Sequence, residues 1–307
     1  MTKTKKQHYV PQFLLRNFAV GKKLKAKLWV LDKRNSSVFV ASVNDVAHEN
    51  MFYNYRAGDV SHDFEPVMAK LDSKAAVIIR DVIKTTKVPR MGEDFVWLSY
   101  YVAAQMLRTP MIRKDMDNFR ERIVHKWGRK VVIDGDSKPL AEYGPEDSKA
   151  SSIGLLRDIP DFAKLLQEKV WILCEPSTGI SYIIGDNPIA RHNMIDRGPR
   201  GNLGLKNDGI ELYTPLSPKL TLHMMCPKMA AAALHTPQLA KVYSDAIRNN
   251  KPISMKPENV DFANSLQVIW AERFVYARNR QHLEIPLDML KTNPELRDGN
   301  HVKYKPS

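Results

Sequence analysis

Residues 63–130 most narrow what this chain can fold into, because they carry successive helical patterns in a sequence whose flanks alternate in the manner of strands. Over residues 63–87, Phe64, Val67, Met68, Leu71, Ala75, Ile78, Ile79, Val82 and Ile83 recur at helical spacing, with Lys70, Ser73, Lys74, Arg80, Asp81 and Lys84 on the remaining face. Glu65 and Asp72 break that division. Asp72 falls among Met68, Ala76, Ile79 and Ile83, where a carboxylate has to be paired, hydrogen-bonded or protonated. A second helix begins at Gly92, Glu93 and Asp94 and is apolar nearly all round over residues 95–107, as expected of a helix buried in the middle of a domain. Tyr101, Gln105 and Arg108 lie within about 60° of one another on it. A buried guanidinium needs a carboxylate or an anion, and Glu65 and Asp72 lie one helix away; the pattern predicts a structural ion pair or a ligand pocket.

Strand patterns lie on either side. Residues 24–31 and 38–42 read as a hairpin turned by Lys33, Arg34, Asn35 and Ser36. After a short helix at 153–168 the period changes, and residues 169–175 and 180–185 read as a second hairpin across Pro176, Ser177, Thr178 and Gly179. A strand at 219–225, a helix at 258–271 and a strand at 274–278 follow. The fold class is therefore α+β, a central helical lobe packed with an antiparallel sheet built from the N-terminal hairpin and C-terminal strands. Residues 1–278 are expected to form one α+β domain, with a lobe boundary in the turn-rich segment 131–152 and a tail over 279–307.

Composition restricts the setting. The 307 residues are 43% hydrophobic, enough for a substantial core, yet contain no apolar run of membrane-spanning length and no apolar segment after the first residues. A cytoplasmic protein without membrane contact is expected. Cys174 and Cys226 are too few for a disulfide framework or a cysteine zinc site, and both are expected as buried thiols. Gly198, Gly201 and Gly204 lack the strand and helix of a dinucleotide fingerprint.

The net charge is +13, and Lys3, Lys5, Lys6, Arg16, Lys22, Lys23, Lys25 and Lys27 precede the first acid, Asp32. Residues 111–130 read as a further basic helix after Pro110, with Arg113, Lys114 and Arg120 among its cations. Lys3, Lys5, Lys6, Lys22, Lys23, Arg113, Lys114 and Arg120 are the candidate nucleic-acid contacts, set against a reading in which they are solvated charge.

The segment QHYVPQFLLRNF, residues 7–18, is too short and polar for a simple core element, and the later polar groups are expected to gather around it. With DVAHENMFY, the acid-bearing helix, QMLRTP, IIGDNPI and PLSP, it resembles the widespread bacterial domain of unknown function 4238 over residues 6–278. The resemblance marks His8, Gln12, Arg16, Glu49, Glu65, Gln105, Arg108, Asp186 and Pro188 as motif positions. Asp72 stands where that family more usually shows Glu, and Gly185 where it usually shows Ser. It implies no settled activity.

Three functions are compatible with these residues. The first is a metal-assisted, nuclease-like hydrolase of nucleic acid or another polyanion. Here His8, Gln12, Glu65, Asp72, Gln105, Arg108 and Asp186 form the catalytic set, with His8 as general acid or base, and Glu49, Glu65, Asp72 and Asp186 are candidate ligands for Mg²⁺ or Mn²⁺. No HExxH, GxSxG or P-loop motif supports it. The second is a non-catalytic nucleic-acid-binding module. The third is a small-molecule or peptide sensor with a pocket between lobes. His48, beside Glu49, has a minor claim to function, since neighbours in a strand or helix do not share a face. The oligomeric state is not encoded in any pattern. The enzyme reading requires His8, Glu65, Asp72, Arg108 and Asp186 to meet in one enclosed space.

Overall fold

The computed structural model describes residues 6–21, 25–57, 60–133, 138–177, 179–195 and 203–299. The N-terminal hairpin forms as β2 (Lys27–Asp32) and β3 (Ser37–Ser42), and its turn residue Lys33 is buried, its Nζ donating to the carbonyls of Val268 and Ala271 at 2.7 and 2.5 Å. Those carbonyls end α9 (Pro257–Trp270), so the ammonium sits where the helix dipole favours a cation. Burial nevertheless lowers its pKa to about 8, with Asp186 and Glu272 opposing.

α2 (Glu65–Thr85) follows the sequence pattern closely, burying Met68, Leu71, Ala75, Ile78, Ile79 and Val82. Asp63 accepts from the Glu65 N–H at its start, and Thr86 ends it in the left-handed region at φ 53°. α3 (Gly92–Leu107) packs between α2 and α6 (Ile159–Gln167), which explains its nearly uniform apolarity. α4 (Pro110–Trp127) starts on a proline, which needs no helical donor there, and buries only Met111. The segment expected as a loop over 131–152 is helical from Pro145, where α5 (Pro145–Gly154) packs on α4.

Two larger sheets carry the rest. One orders β12 (Ile253–Met255), β7 (Val170–Pro176), β11 (Leu220–Met225), β10 (Ile210–Ser217) and β9 (Ala190–Asn193), with β12 parallel to β7 and the other pairs antiparallel. β10 and β11 are buried throughout. Leu212, Leu216, Leu222 and Met224 face the helical core, while Tyr213 and Met225 face α9, α7 (Pro227–His235) and α8 (Pro237–Arg248). The other sheet orders β3, β2, β13 (Phe274–Ala277) and β8 (Ile184–Gly185), joining the N-terminal hairpin to a C-terminal strand.

Three expectations change. Residues 169–175 and 180–185 do not form a hairpin, because β7 pairs with β11 and β12 while β8 pairs with β13 in the other sheet. Between them Tyr182 N–H bonds Pro218 O and Ile183 N–H bonds Asn264 Oδ1, so the chain crosses from one sheet to the other. Residues 210–217 are strand although only 219–225 were expected as one: Pro215 lies in β10 at a register shift between Pro215 and Ser217, the kind of irregularity where a strand tolerates proline. The expected tail contains a 3-10 turn (Arg280–Leu283), α10 (Glu284–Thr292) and a second turn (Pro294–Asp298). Leu283 and Leu290 pack with Leu31, Val268 and Val275.

Candidate functional site

The opening motif makes a two-stranded ribbon. β1 (Lys6–His8) pairs antiparallel with β4 (His48–Asn50), setting Gln7 opposite Glu49 and His8 opposite His48. Alternation along a strand then sorts the side chains. Gln7 points inward, its Nε2 donating to Asn54 Oδ1 at 2.9 Å and its Oε1 accepting from Tyr53 N–H at 2.7 Å. On the other face the His8 and His48 rings meet edge to face, 5.3 Å between centroids, beside Lys6, whose Nζ donates to Asp45 at 3.0 Å. Pro11 then leads into α1 (Gln12–Asn17), whose first two turns bring Gln12 and Arg16 to His8.

Donor and acceptor roles in this group are determined. Arg16 Nη2 donates to Gln12 Oε1, so the amide nitrogen of Gln12 faces His8 Nε2 at 2.7 Å as a donor. His8 Nε2 is therefore the acceptor of a neutral ring whose proton is on Nδ1. The electrostatics agree: burial and the His48 ring, with Arg16 and Lys6, push the His8 pKa down to about 4 against an opposing contribution from the Val46 backbone. His48 is lowered by burial and then Lys6, with Asp45 and Glu49 opposing. It is only partly covered, its Nδ1 enclosed and without a hydrogen-bond partner.

Behind the ribbon lies the interior network that the two helical patterns predicted. Tyr9 O accepts from Gln105 Nε2 at 2.9 Å, Gln105 Oε1 accepts from Arg108 Nε at 2.9 Å, and Arg108 Nη2 donates to Asp72 Oδ1 at 2.6 Å. The Arg108 side chain is fully enclosed, while that of Asp72 is 22% exposed. Tyr53 donates to His8 O at 3.0 Å, and both Tyr53 and Tyr101 lie against the Arg108 guanidinium, which opposes the upward push of burial on their hydroxyls. Glu65 joins at the edge, its pKa raised by burial, then by Asp72 and Asp63, with Arg108 opposing.

Asp186 has different partners. Fully buried, it accepts from the backbone N–H groups of Glu272, Arg273 and Phe274 at 2.7–2.9 Å and so fastens the end of β8 to the start of β13. Burial raises its pKa to about 6 although two of those N–H groups and Lys33 oppose the shift. The flanking residues are held by α9: Gln267 accepts from Gly185 N–H and donates to Pro188 O. A Cβ on Gly185 would meet the Gln267 carbonyl at 2.8 Å, which accounts for glycine at this position. Glu49, turned away from His48, accepts from Arg113 Nη1 at 3.1 Å.

The sequence-derived set thus divides: His8 with Gln12 on the ribbon, Glu65 with Asp72, Gln105 and Arg108 inside, and Asp186 at β8. Backbone carbonyls of the opening motif link the first two groups. Glu49, Asp72 and Asp186 have separate partners, and among the described residues no group of three or more His, Cys, Asp or Glu side chains is arranged to hold a metal ion. The four acids named for a Mg²⁺ or Mn²⁺ site are therefore not gathered into one cluster. Of the candidate nucleic-acid contacts, Lys3, Lys5, Lys22 and Lys23 lie outside the described residues. Arg113 pairs with Glu49, Lys114 reaches Glu272 at 3.9 Å and donates to Asp298 O, and Arg120 pairs with Asp117 and donates to Ser148.

His48, read from the sequence only beside Glu49, faces His8 on another strand. Sequence reasoning missed a buried seam on β10 and β11, where Tyr213 donates to Glu211 at 2.9 Å, His223 Nε2 stands 3.4 Å from the same carboxylate, and the Tyr213 and His223 rings stack at 4.3 Å. Burial favours protonated Glu211, but His223 and Tyr213 outweigh it and lower the pKa. The available signal was a polar residue at every second position of two otherwise apolar strands.

No helix among the described residues is long and apolar enough to cross a membrane. A family model described as a protein of unknown function (DUF4238) matches residues 6–281. No curated protein matches the chain. No solved structure matches it either.

Proposed function

Because the chain belongs to the DUF4238 family, whose description names no activity, we propose from the geometry that it is a phosphodiester hydrolase acting on nucleic acid or a related polyanion, with the ribbon of β1 and β4 as its site. One observation carries this reading: two imidazoles from separate segments meet across the ribbon beside Arg16 and Lys6. His48 is the general base that takes a proton from the attacking water as its oxygen bonds to phosphorus, because its ring is partly open while His8 Nε2 is already engaged by Gln12; the bridging P–O bond breaks, and the leaving oxygen takes its proton from solvent. Arg16 and Lys6 take up the negative charge that grows on the phosphoryl oxygens. His8 and Gln12 are positioning residues that hold the Arg16 guanidinium through the Gln12 carbonyl oxygen. The interior Arg108 network supports the ribbon from behind, and no step runs through it or through a metal.

Cleavage of end-labelled RNA and DNA oligonucleotides by wild type and His48→Ala tests this. Loss of a general base lowers turnover by about 10²–10⁴-fold. Since the His48 pKa is lowered from 6.5, log(kcat/KM) of wild type should rise with pH and level off below pH 6.5 as the base loses its proton. A wild-type protein that cleaves neither substrate, or a His48→Ala variant that cleaves normally, removes the proposal. The non-catalytic binding reading uses the same cations, and predicts binding by wild type and His48→Ala alike with no cleavage by either.

A further inference from the structure

The far half of α4 carries a surface that the ribbon does not use. Around the helix, at 100° per residue, Arg122, Lys126, Phe119, Ile123 and Trp127 fall in one arc of about 140°. Phe119 is 60% exposed and Trp127 63% exposed, and Lys126 Nζ lies 4.8 Å from the centroid of the Trp127 ring. Asp117, which meets Ser148 of α5, lies on the opposite side, and Arg120, which also meets Ser148, lies just beyond the Trp127 edge, so α5 covers that side of α4 while Phe119, Arg122, Lys126 and Trp127 stay exposed. Glu121 falls outside the arc, while Asp115 falls within its angular span one turn before Phe119, where Arg191, Arg122 and Lys114 face it.

We infer that this arc binds single-stranded nucleic acid. Cations of one sign interleaved with exposed rings suit a strand that offers phosphates and unpaired bases together: the phosphates meet Arg122 and Lys126 while bases stack on Phe119 and Trp127. A duplex keeps its bases stacked on one another and leaves the two rings without partners. The same helix also touches the ribbon, on another side: Arg113 in the first turn of α4 pairs with Glu49, the neighbour of His48, and falls outside the arc. From Arg113 to Trp127 the helix rises about 21 Å, so the arc is a contact surface apart from the ribbon. The inference rests on the reading that nucleic acid is the substrate and adds strandedness and a second contact surface.

Fluorescence anisotropy of the full chain with a labelled single-stranded RNA, its DNA counterpart and the corresponding RNA duplex provides the test. Wild type should prefer either single strand to the duplex, and Phe119→Ala and Trp127→Ala should each weaken single-strand binding about tenfold. Arg122→Gln with Lys126→Gln should reduce the slope of log affinity against log salt by about 1.4, from two phosphate contacts. Cleavage of a dinucleotide too short to reach α4 should be unchanged in Trp127→Ala. Unchanged binding by both alanine variants, preference for the duplex, or binding only to anionic lipid vesicles overturns the inference. Binding lost in Trp127→Ala but no cleavage by wild type leaves this surface standing and removes the hydrolase; cleavage with unchanged binding in both alanine variants does the reverse.

Discussion

Arg108 is wholly enclosed and depends on few partners: Gln105 takes Nε, Asp72 takes Nη2, and Nη1 has no hydrogen bond of normal geometry. Asp72→Asn keeps the shape of the contact and removes its charge. Because Asp72 is 22% exposed, water offsets part of the loss, and we expect a destabilisation of about 1–3 kcal/mol by urea unfolding. Arg108→Met combined with Asp72→Leu should cost less than the sum of the single changes, since neither charge is then stranded. His8 gives a pH dependence of defined sign. Its folded pKa of about 4 is below its ordinary 6.5, so it contributes stability above pH 6.5 that is lost as the pH falls through about 4. Urea midpoints taken from pH 7 to pH 4 should fall, and His8→Asn should flatten the decline.

Elements became readable from sequence where burial is one-sided. α2 was legible because its exposed and buried faces differ in residue type, and the hairpin of β2 and β3 because a polar turn separates two apolar runs. β8 was not, because its strand is two residues long and the N–H groups of Ile183 and Gly185 are satisfied by Asn264 and Gln267 side chains. The same limit applies to the site. Alternation correctly separates His48 from Glu49, but only the pairing of β1 with β4 shows that His48 faces His8. Asp72 and Arg108 were legible as a pair, since each is a charge on an apolar face and their helices are consecutive. α10 was overlooked although Leu283, Leu287 and Leu290 repeat at helical spacing. Leu290 is fully buried, so Leu290→Ala should cost about 2–5 kcal/mol in thermal or urea unfolding; an effect near zero would mean that α10 adds nothing to the core.

Across the whole molecule, charge and topology act separately. The net +13 does not make every basic segment available, because acids and backbone carbonyls take up Arg113, Lys114 and Arg120 along α4. Topology joins the two ends of the sequence: Val30 of β2 lies opposite Tyr276 of β13, and Lys33 docks on the end of α9. Removal of residues 272–307 should therefore abolish the cooperative thermal transition, followed by circular dichroism, whereas a sharp melt would show that the hairpin is held without β13. The pairing of β2 with β13 also sets a timetable. On the ribosome the first hairpin emerges with one backbone edge unmatched and waits until β13 has been synthesised before its neighbour arrives. Through that interval the nascent chain offers an adhesive strand to any other, so crowded translation and slow elongation between β3 and β13 are the conditions under which this protein should aggregate most.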